Sequence, residues 1–281
     1  MLVNTTVSHI SPLLTYLPAV AWYEDTPQAD PSLDCGRCAP PRPQWHAGLT
    51  SGHRVYGGYR ESLGRYRVTL DRNSTEYDGF NGGPDVPGYQ LFSAPNLPMG
   101  QHHISMFNIG NDPARPMFDF SYLMFESAAG NTTVFDHTSD QCVWLPHTAE
   151  AWAVDAVSHT TTQDFGSMGM NFTNLNRVLS PHLGTGVAVY GVLSAQSSSF
   201  DVTVDDATGF PLSPHTGNDS PTNETTLLYI KTDLYQGPHT LWVQNNRLSG
   251  SATATQLSIS SLVVFSDAEA SPSSTPPANT R

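Results

Sequence analysis

VYGGYRESLGRYRVTLD, Val55 to Asp71, lies over VYGVLSAQSSSFDVTVD, Val189 to Asp205, without a gap at an offset of 134. Tyr56 meets Tyr190, Gly57 meets Gly191, Tyr66 meets Phe200, Val68 meets Val202 and Asp71 meets Asp205. After a variable loop the correspondence resumes at an offset of 137, where NLPMGQHHISMFNIG, Asn96 to Gly110, lies over DLYQGPHTLWVQNNR, Asp233 to Arg247. Gly100 then pairs with Gly237, His102 with His239 and Asn108 with Asn245. Each copy closes on an apolar segment, MFDFSYLMFES or QLSISSLVVFS, and upstream LPAVAW ending at Trp22 resembles LPHTAEAW ending at Trp152. Self-similarity at a fixed spacing marks a duplicated unit. The chain reads as one module of about 130 residues written twice, over 1–128 and 129–267, followed by 268–281.

Inside a module the apolar period is two. VAVYG, FDVTVD, HTLWVQN and LSISSLVVF alternate or run apolar between Gly, Pro, Asn and Asp clusters, which is the pattern of strands. No segment sustains apolar positions at helical spacing; only AEAWAVDAV, Ala149 to Val157, tempts a helix, and it is short. Short strands with frequent turns predict an all-β fold of two tandem β-sandwiches. A jelly roll is favoured over an immunoglobulin sandwich because the Cys...Trp...Cys signature of the latter is absent.

Composition narrows the function classes. With 12 basic against 25 acidic residues the formal charge is −13, which repels nucleic-acid phosphates and anionic lipid alike. No run of some 18 apolar residues spans a bilayer, and the N-terminal stretch, with no Lys or Arg ahead of its apolar part, does not read as a signal peptide. Six of the fifteen asparagines nevertheless open N-x-S/T sequons, about twice the chance rate: Asn4, Asn73, Asn131, Asn171, Asn218 and Asn223, with Asn218 the poorest because Pro221 follows its Ser220. The last residues, DAEASPSSTPPANTR, have the composition of an extended stalk. An extracellular or cell-surface glycoprotein ectodomain is the expectation.

The segments SPLLTYLPAVAW, VYG, Tyr66-x-Val68-Thr69-x-Asp71, Leu97-x-x-Gly100-x-His102 and LSISSLVVF together resemble the tandem ectodomain modules of a group of basidiomycete fungal surface and transmembrane proteins. That resemblance implies galactose-binding-like jelly rolls, with a Ser/Thr/Pro-rich stalk leading to one membrane helix. It implies no catalytic set, and this chain departs from the pattern by stopping short of a membrane span.

Candidate chemistry is sparse. In a strand, adjacent residues point to opposite faces, so His102 and His103 cannot both ligate one metal without a bend. His102 recurs as His239, whereas His103 becomes Thr240, so His102 reads as a packing and hydrogen-bonding residue at a strand entrance. Cys35 and Cys38 form a C-x-x-C in a proline-bracketed loop and are expected to make a tight disulfide; a bridge from one of them to Cys142 is the alternative. The glycines of GTGVAVYG, Gly184 to Gly191, begin a strand instead of following one, against a phosphate loop. Asp71 and Asp205 sit at strand ends and read as turn carboxylates, with a calcium site in loop carboxylates as the lesser reading. No pattern calls for a catalytic residue, metal or cofactor. Trp22 and Trp152 recur and read as core, while Trp45, Trp144 and Tyr235 do not recur and are the binding candidates, ahead of Tyr77 and Phe80. The expected function is non-enzymatic carbohydrate binding or surface recognition, with glycans or another surface protein as partner. A spacer or adhesion module without a small ligand is one alternative, and a polysaccharide-active enzyme with paired carboxylates is another.

Overall fold

The computed structural model describes residues 2–16, 44–128, 131–174, 185–205, 211–214, 225–235, 237–246 and 255–266. Cys35, Cys38, Trp22, Asn218, Asn223 and the 268–281 stalk lie outside the described residues. The described structure is all-β. The first copy supplies β1 (Leu2–Ser8), β2 (Gln44–Thr50), β3 (Gly52–Tyr59), β4 (Arg65–Leu70), β5 (Asn73–Asp78), β6 (Val86–Ala94), β7 (Gly100–Asn108) and β8 (Tyr122–Ala128). The second begins with β9 (Asn131–Asp136), β10 (Cys142–Leu145), β11 (Ala153–Val154), β12 (His159–Thr161), β13 (Ser167–Asn174) and β14 (Gly186–Val192). It ends with β15 (Phe200–Val204), β16 (Pro211–Leu212), β17 (Thr225–Lys231), β18 (Gly237–Asn245), β19 (Leu257–Ile259) and β20 (Ser261–Ser266).

Strand pairing in the first copy is nested: β4 with β5, β3 with β6, β2 with β7, β1 with β8, all antiparallel. Rolling that stack of hairpins gives two four-stranded sheets, ordered β1-β8-β3-β6 and β2-β7-β4-β5, which is jelly-roll topology. The second copy repeats the nesting as β15 with β16, β14 with β17, β13 with β18 and β9 with β20. Its sheets run β9-β20-β14-β17 and β10-β13-β18-β15-β16. A small sheet β11-β12-β19 has no strand counterpart among the described residues of the first copy.

Local details recur with the topology. The ladder slips between Val55 and Tyr56 and again between Val189 and Tyr190. The glycine after each slip is required by contact: a Cβ on Gly57 would collide with the Asp119 carbonyl and the Leu91 side chain, and one on Gly191 with the Ser258 carbonyl and Leu228. Alternation delivers the core. Phe200, Val202 and Val204 of β15 and Leu241 and Val243 of β18 point inward, each at most 4% exposed, and burying a side chain of this size stabilises by about 1.5–3 kcal/mol. AEAWAVDAV is not helical. Trp152 Nε1 donates to the Leu145 carbonyl at 3.1 Å, and the Asp155 carboxylate accepts from the Val157 and Ser158 amides at 2.7 and 2.8 Å, which fixes a turn.

The two rolls share apolar packing. Ala188, Leu227, Ile230 and Phe265 join the first core and Ile10 joins the second, while the buried Ser11 hydroxyl donates to the Leu227 carbonyl at 2.7 Å.

Candidate functional site

Each copy contains a clasp between the end of one strand and the entrance of another. Asp71 and Asp205 follow β4 and β15 with φ of 54° and 57°, the left-handed region that Asp tolerates better than most residues. That turn aims the carboxylate at the neighbouring strand. Asp71 accepts from the His103 amide at 2.9 Å and lies 2.8 Å from His102 Nδ1, whose Nε2 is 2.8 Å from the Pro98 carbonyl. Asp205 accepts from the Thr240 amide at 3.0 Å and lies 2.9 Å from His239 Nδ1, whose Nε2 is 2.7 Å from the Tyr235 carbonyl. Carboxylate and carbonyl only accept, so in each clasp both ring nitrogens face acceptors. Burial works against charge on His102, but the Pro98 and Asp71 hydrogen bonds prevail and raise its pKa. Burial likewise works against the Asp71 and Asp205 carboxylates, yet their amide and histidine donors hold both below the usual range.

The surroundings of the two clasps differ. In the second copy a groove of about 490 Å³ opens between the sheets, within the size range of small-ligand sites. Phe135 from β9, Phe172 from β13, Val264 from β20 and His239 from β18 form its floor. Its rim carries hydroxyls and amides: Thr133, Gln141, Asn171, Thr173, Thr240 and Ser266. Beside it β10 pairs β13 from Ser167 to Met170, and among the described residues Asn171 to Asn174 have no strand partner on that side. In the first copy ladder register equates Thr133 with Thr5, Val264 with Phe125 and Ser266 with Ser127, and these are 4%, 1% and 1% exposed. His53, 0% exposed, packs edge-on to His102 at 5.8 Å where the second copy has Val187. Burial, with the charge of His102, pushes the His53 pKa down to about 4.

The candidates named from sequence are scattered. Trp45 lies in β2 opposite Ile104 on the backbone ladder. Trp144 stacks one ring face on His159 at 4.1 Å and meets Trp152 edge-on at 4.7 Å. His159 Nδ1 in turn lies 3.0 Å from His137 Nδ1, so one ring donates and the other accepts. Tyr235 is 64% exposed and leans edge-on over His239 at 4.5 Å, beside the groove. Asn4, Asn73, Asn131 and Asn171 are all exposed, as are Thr6, Thr75, Thr133 and Thr173 two residues on, since positions i and i+2 share a strand face. Cys142 is buried, and burial with Asp136 pushes its thiol up to about 11; the bridges proposed for Cys35 and Cys38 fall outside the described residues. Among the described residues no three His, Cys, Asp or Glu side chains are grouped to hold a metal, and no helix is long and apolar enough to cross a membrane.

Sequence reasoning missed the clasp and the phenylalanine floor. A signal for the clasp was present, because Asp and His both recur, 31 residues apart in the first copy and 34 in the second. No signal marked the floor, since Phe135 and Phe172 look like ordinary strand residues.

No protein-family model matches the chain, and no curated protein matches it. Among solved structures, it is similar to a family two carbohydrate esterase from Cellvibrio japonicus at 12% identity and TM-score 0.34, over 48% of this chain and 34% of that one. It is also similar to a GH2 beta-galacturonidase from Eisenbergiella tayi at 8% identity and TM-score 0.25, over 83% and 37%. A third is the ANXUR2 extracellular domain from Arabidopsis thaliana, at 8% identity and TM-score 0.28, over 92% and 89%. The chain spans about a third of the length of each of the two enzymes. Likeness this loose carries no argument about activity, and the jelly-roll assignment rests on the strand order.

Proposed function

We propose that this chain is a non-enzymatic extracellular recognition module that binds carbohydrate in the groove of its second jelly roll. The observation that carries the reading is the character of that groove: an apolar, partly aromatic floor ringed by neutral hydroxyl and amide groups. Sugars present a C–H face that stacks on aromatic rings and hydroxyls that exchange hydrogen bonds with such a rim. Glycoside hydrolysis needs two carboxylates flanking the scissile bond, and the groove lining contains none among the described residues. Exposed Tyr235, leaning on His239, extends the apolar surface at one end. The test is a glycan array probed with bacterially produced protein, whose rim carries no N-glycans, beside a Val264→Phe variant. Binding by the parent and not by the variant supports the reading; no binding by either overturns it. The spacer reading draws on a different observation, the apolar packing that the two rolls share.

A further inference from the structure

We propose that His137 and His159 form an acid-released latch that holds one wall of the groove in place. The latch stands on its own geometry, and only its effect on ligand affinity rests on the reading above.

His137 is the first residue of the connection from β9 to β10 and Gln141 the last, while Phe135 stands two residues before His137. Phe135 and Gln141 both line the groove. The connection reverses tightly, with the Ser139 amide donating to the Asp136 carbonyl and the Cys142 amide to the Ser139 carbonyl, each at 3.0 Å. His137 is 6% exposed, and its ring meets that of His159 edge-on at 5.2 Å with the two Nδ1 atoms 3.0 Å apart. His159 is itself well held, because Trp144 stacks on its ring at 4.1 Å and its strand β12 pairs with both β11 and β19. The histidine pair thus fastens the end of β9 to the small sheet.

A hydrogen bond between two Nδ1 atoms needs one that carries a proton and one that keeps its lone pair. At most one of the rings can then be an imidazolium. A second proton sets N–H against N–H, and the rings must part. Burial, and after it the charge of His137, lower the His159 pKa against the pull of Asp155. A depressed folded value means that the neutral ring contributes stability at neutral pH, which is lost as pH falls from about 6.5 through the folded value. The other ionisable groups around the pair keep one protonation state in that range. The Thr138 hydroxyl and amide hold Asp136, and the Val157 and Ser158 amides hold Asp155, below the usual carboxylate range, while the Cys142 thiol, raised to about 11, stays neutral.

The ladder register equates His137 with His9 of the first copy. Both amides make the corresponding bond, to the Ser260 carbonyl at 2.9 Å and to the Ser121 carbonyl at 3.0 Å. His9, however, is exposed, so the backbone of this corner is shared and the buried pair belongs to the copy that carries the groove.

The test is long-range proton–nitrogen correlation of the histidine rings, together with backbone amide shifts, on isotope-labelled protein taken from about pH 7.5 to about pH 5. The expected result is one ring with Nδ1–H and one with a bare Nδ1 at the upper end, and amide shifts of Phe135, Gln141 and Trp144 that move together with the second protonation. A His137→Asn variant places a side-chain amide near the Nδ1 position and offers its carbonyl to a protonated His159, so its Phe135 and Gln141 amides should stay fixed over the same range. With the strongest oligosaccharide from the array, the parent should lose affinity about fivefold or more toward the acid end, and the Asn variant should not. Rings that keep a bare Nδ1 down to the acid end, groove amides that stay fixed while both rings titrate, amides that move in the Asn variant as in the parent, or a parent affinity unchanged across the range overturns the proposal. Absence of sugar binding at every pH overturns the groove reading, and the ring and amide titrations still decide the latch.

Discussion

His102 and His239 occupy the same place in the duplicated fold and make the same three-part clasp, yet one is walled in and the other borders an open groove. In the first roll His53 packs on His102 and Phe125 is fully buried at the position equated with Val264, whereas in the second Val264 lines the groove beside His239. The clasp is therefore the shared structural element, and the residues around it are where the copies diverged. A duplicated module can keep its hydrogen-bonded scaffold and acquire a binding surface in one copy by shrinking side chains at positions that the ladder register equates.

That contrast can be broken in several places. The largest effect is expected from His239→Ala. Its side chain is 0% exposed and its removal strands the Asp205 carboxylate, so a loss of roughly 3 kcal/mol is expected in urea unfolding. His102→Ala strands a carboxylate that is 43% exposed, so about half that loss is expected. Equal losses in the two copies would remove the burial argument.

Next comes His53→Val, which gives the first copy the residue of the second. A histidine whose folded pKa is depressed to about 4 leaves the folded chain holding fewer protons than the unfolded chain below the ordinary value near 6.5. Stability present at neutral pH is thus lost as pH falls from about 6.5 to 4, by up to about 3 kcal/mol. The variant should lose this part of the acid dependence in unfolding midpoints measured across that window. What His102 contributes in that window then remains, opposite in sign to the His53 contribution, because its raised folded pKa gives stability present below the unfolded value and lost as pH rises through the folded one.

A third change, Val264→Phe, imports the first copy's filling residue into the groove. It should weaken sugar binding about tenfold or more, or about 1.4 kcal/mol, by titration calorimetry, with a smaller effect on stability because the added ring enters open space. The smallest expected effect is that of Tyr235→Ala. Loss of its edge contact with His239 should cost about 1 kcal/mol or less of stability, with a severalfold loss of sugar affinity in the same titration.

Much of this was legible in the chain. The gapless repeat and the alternation of His239, Leu241, Val243 and Asn245 specify strands, the buried face of β18 and the duplication. The partnership of Asp71 with His102 was not legible, because a carboxylate at a strand end satisfies a turn equally well and only the left-handed backbone at Asp71 aims it across to β7. The groove was hidden for a second reason. It depends on where β10 stops pairing β13 and on the volume of Val264 against Phe125, neither of which alters the apolar period. Trp144, singled out for being unrepeated, stacks on His159 and meets Trp152 edge-on, so its ring is spent on packing between β10 and the small sheet.

The most direct measurement is amide chemical-shift mapping of isotope-labelled bacterial protein titrated with the strongest oligosaccharide from the array. Saturable shifts are expected at Thr133, Phe135, Phe172, Thr240 and Ser266, with Thr5, Phe125 and Ser127 of the first copy unmoved. Shifts of equal size at both sets, or saturable binding that leaves the second-copy set unmoved, would contradict a binding groove confined to the second copy.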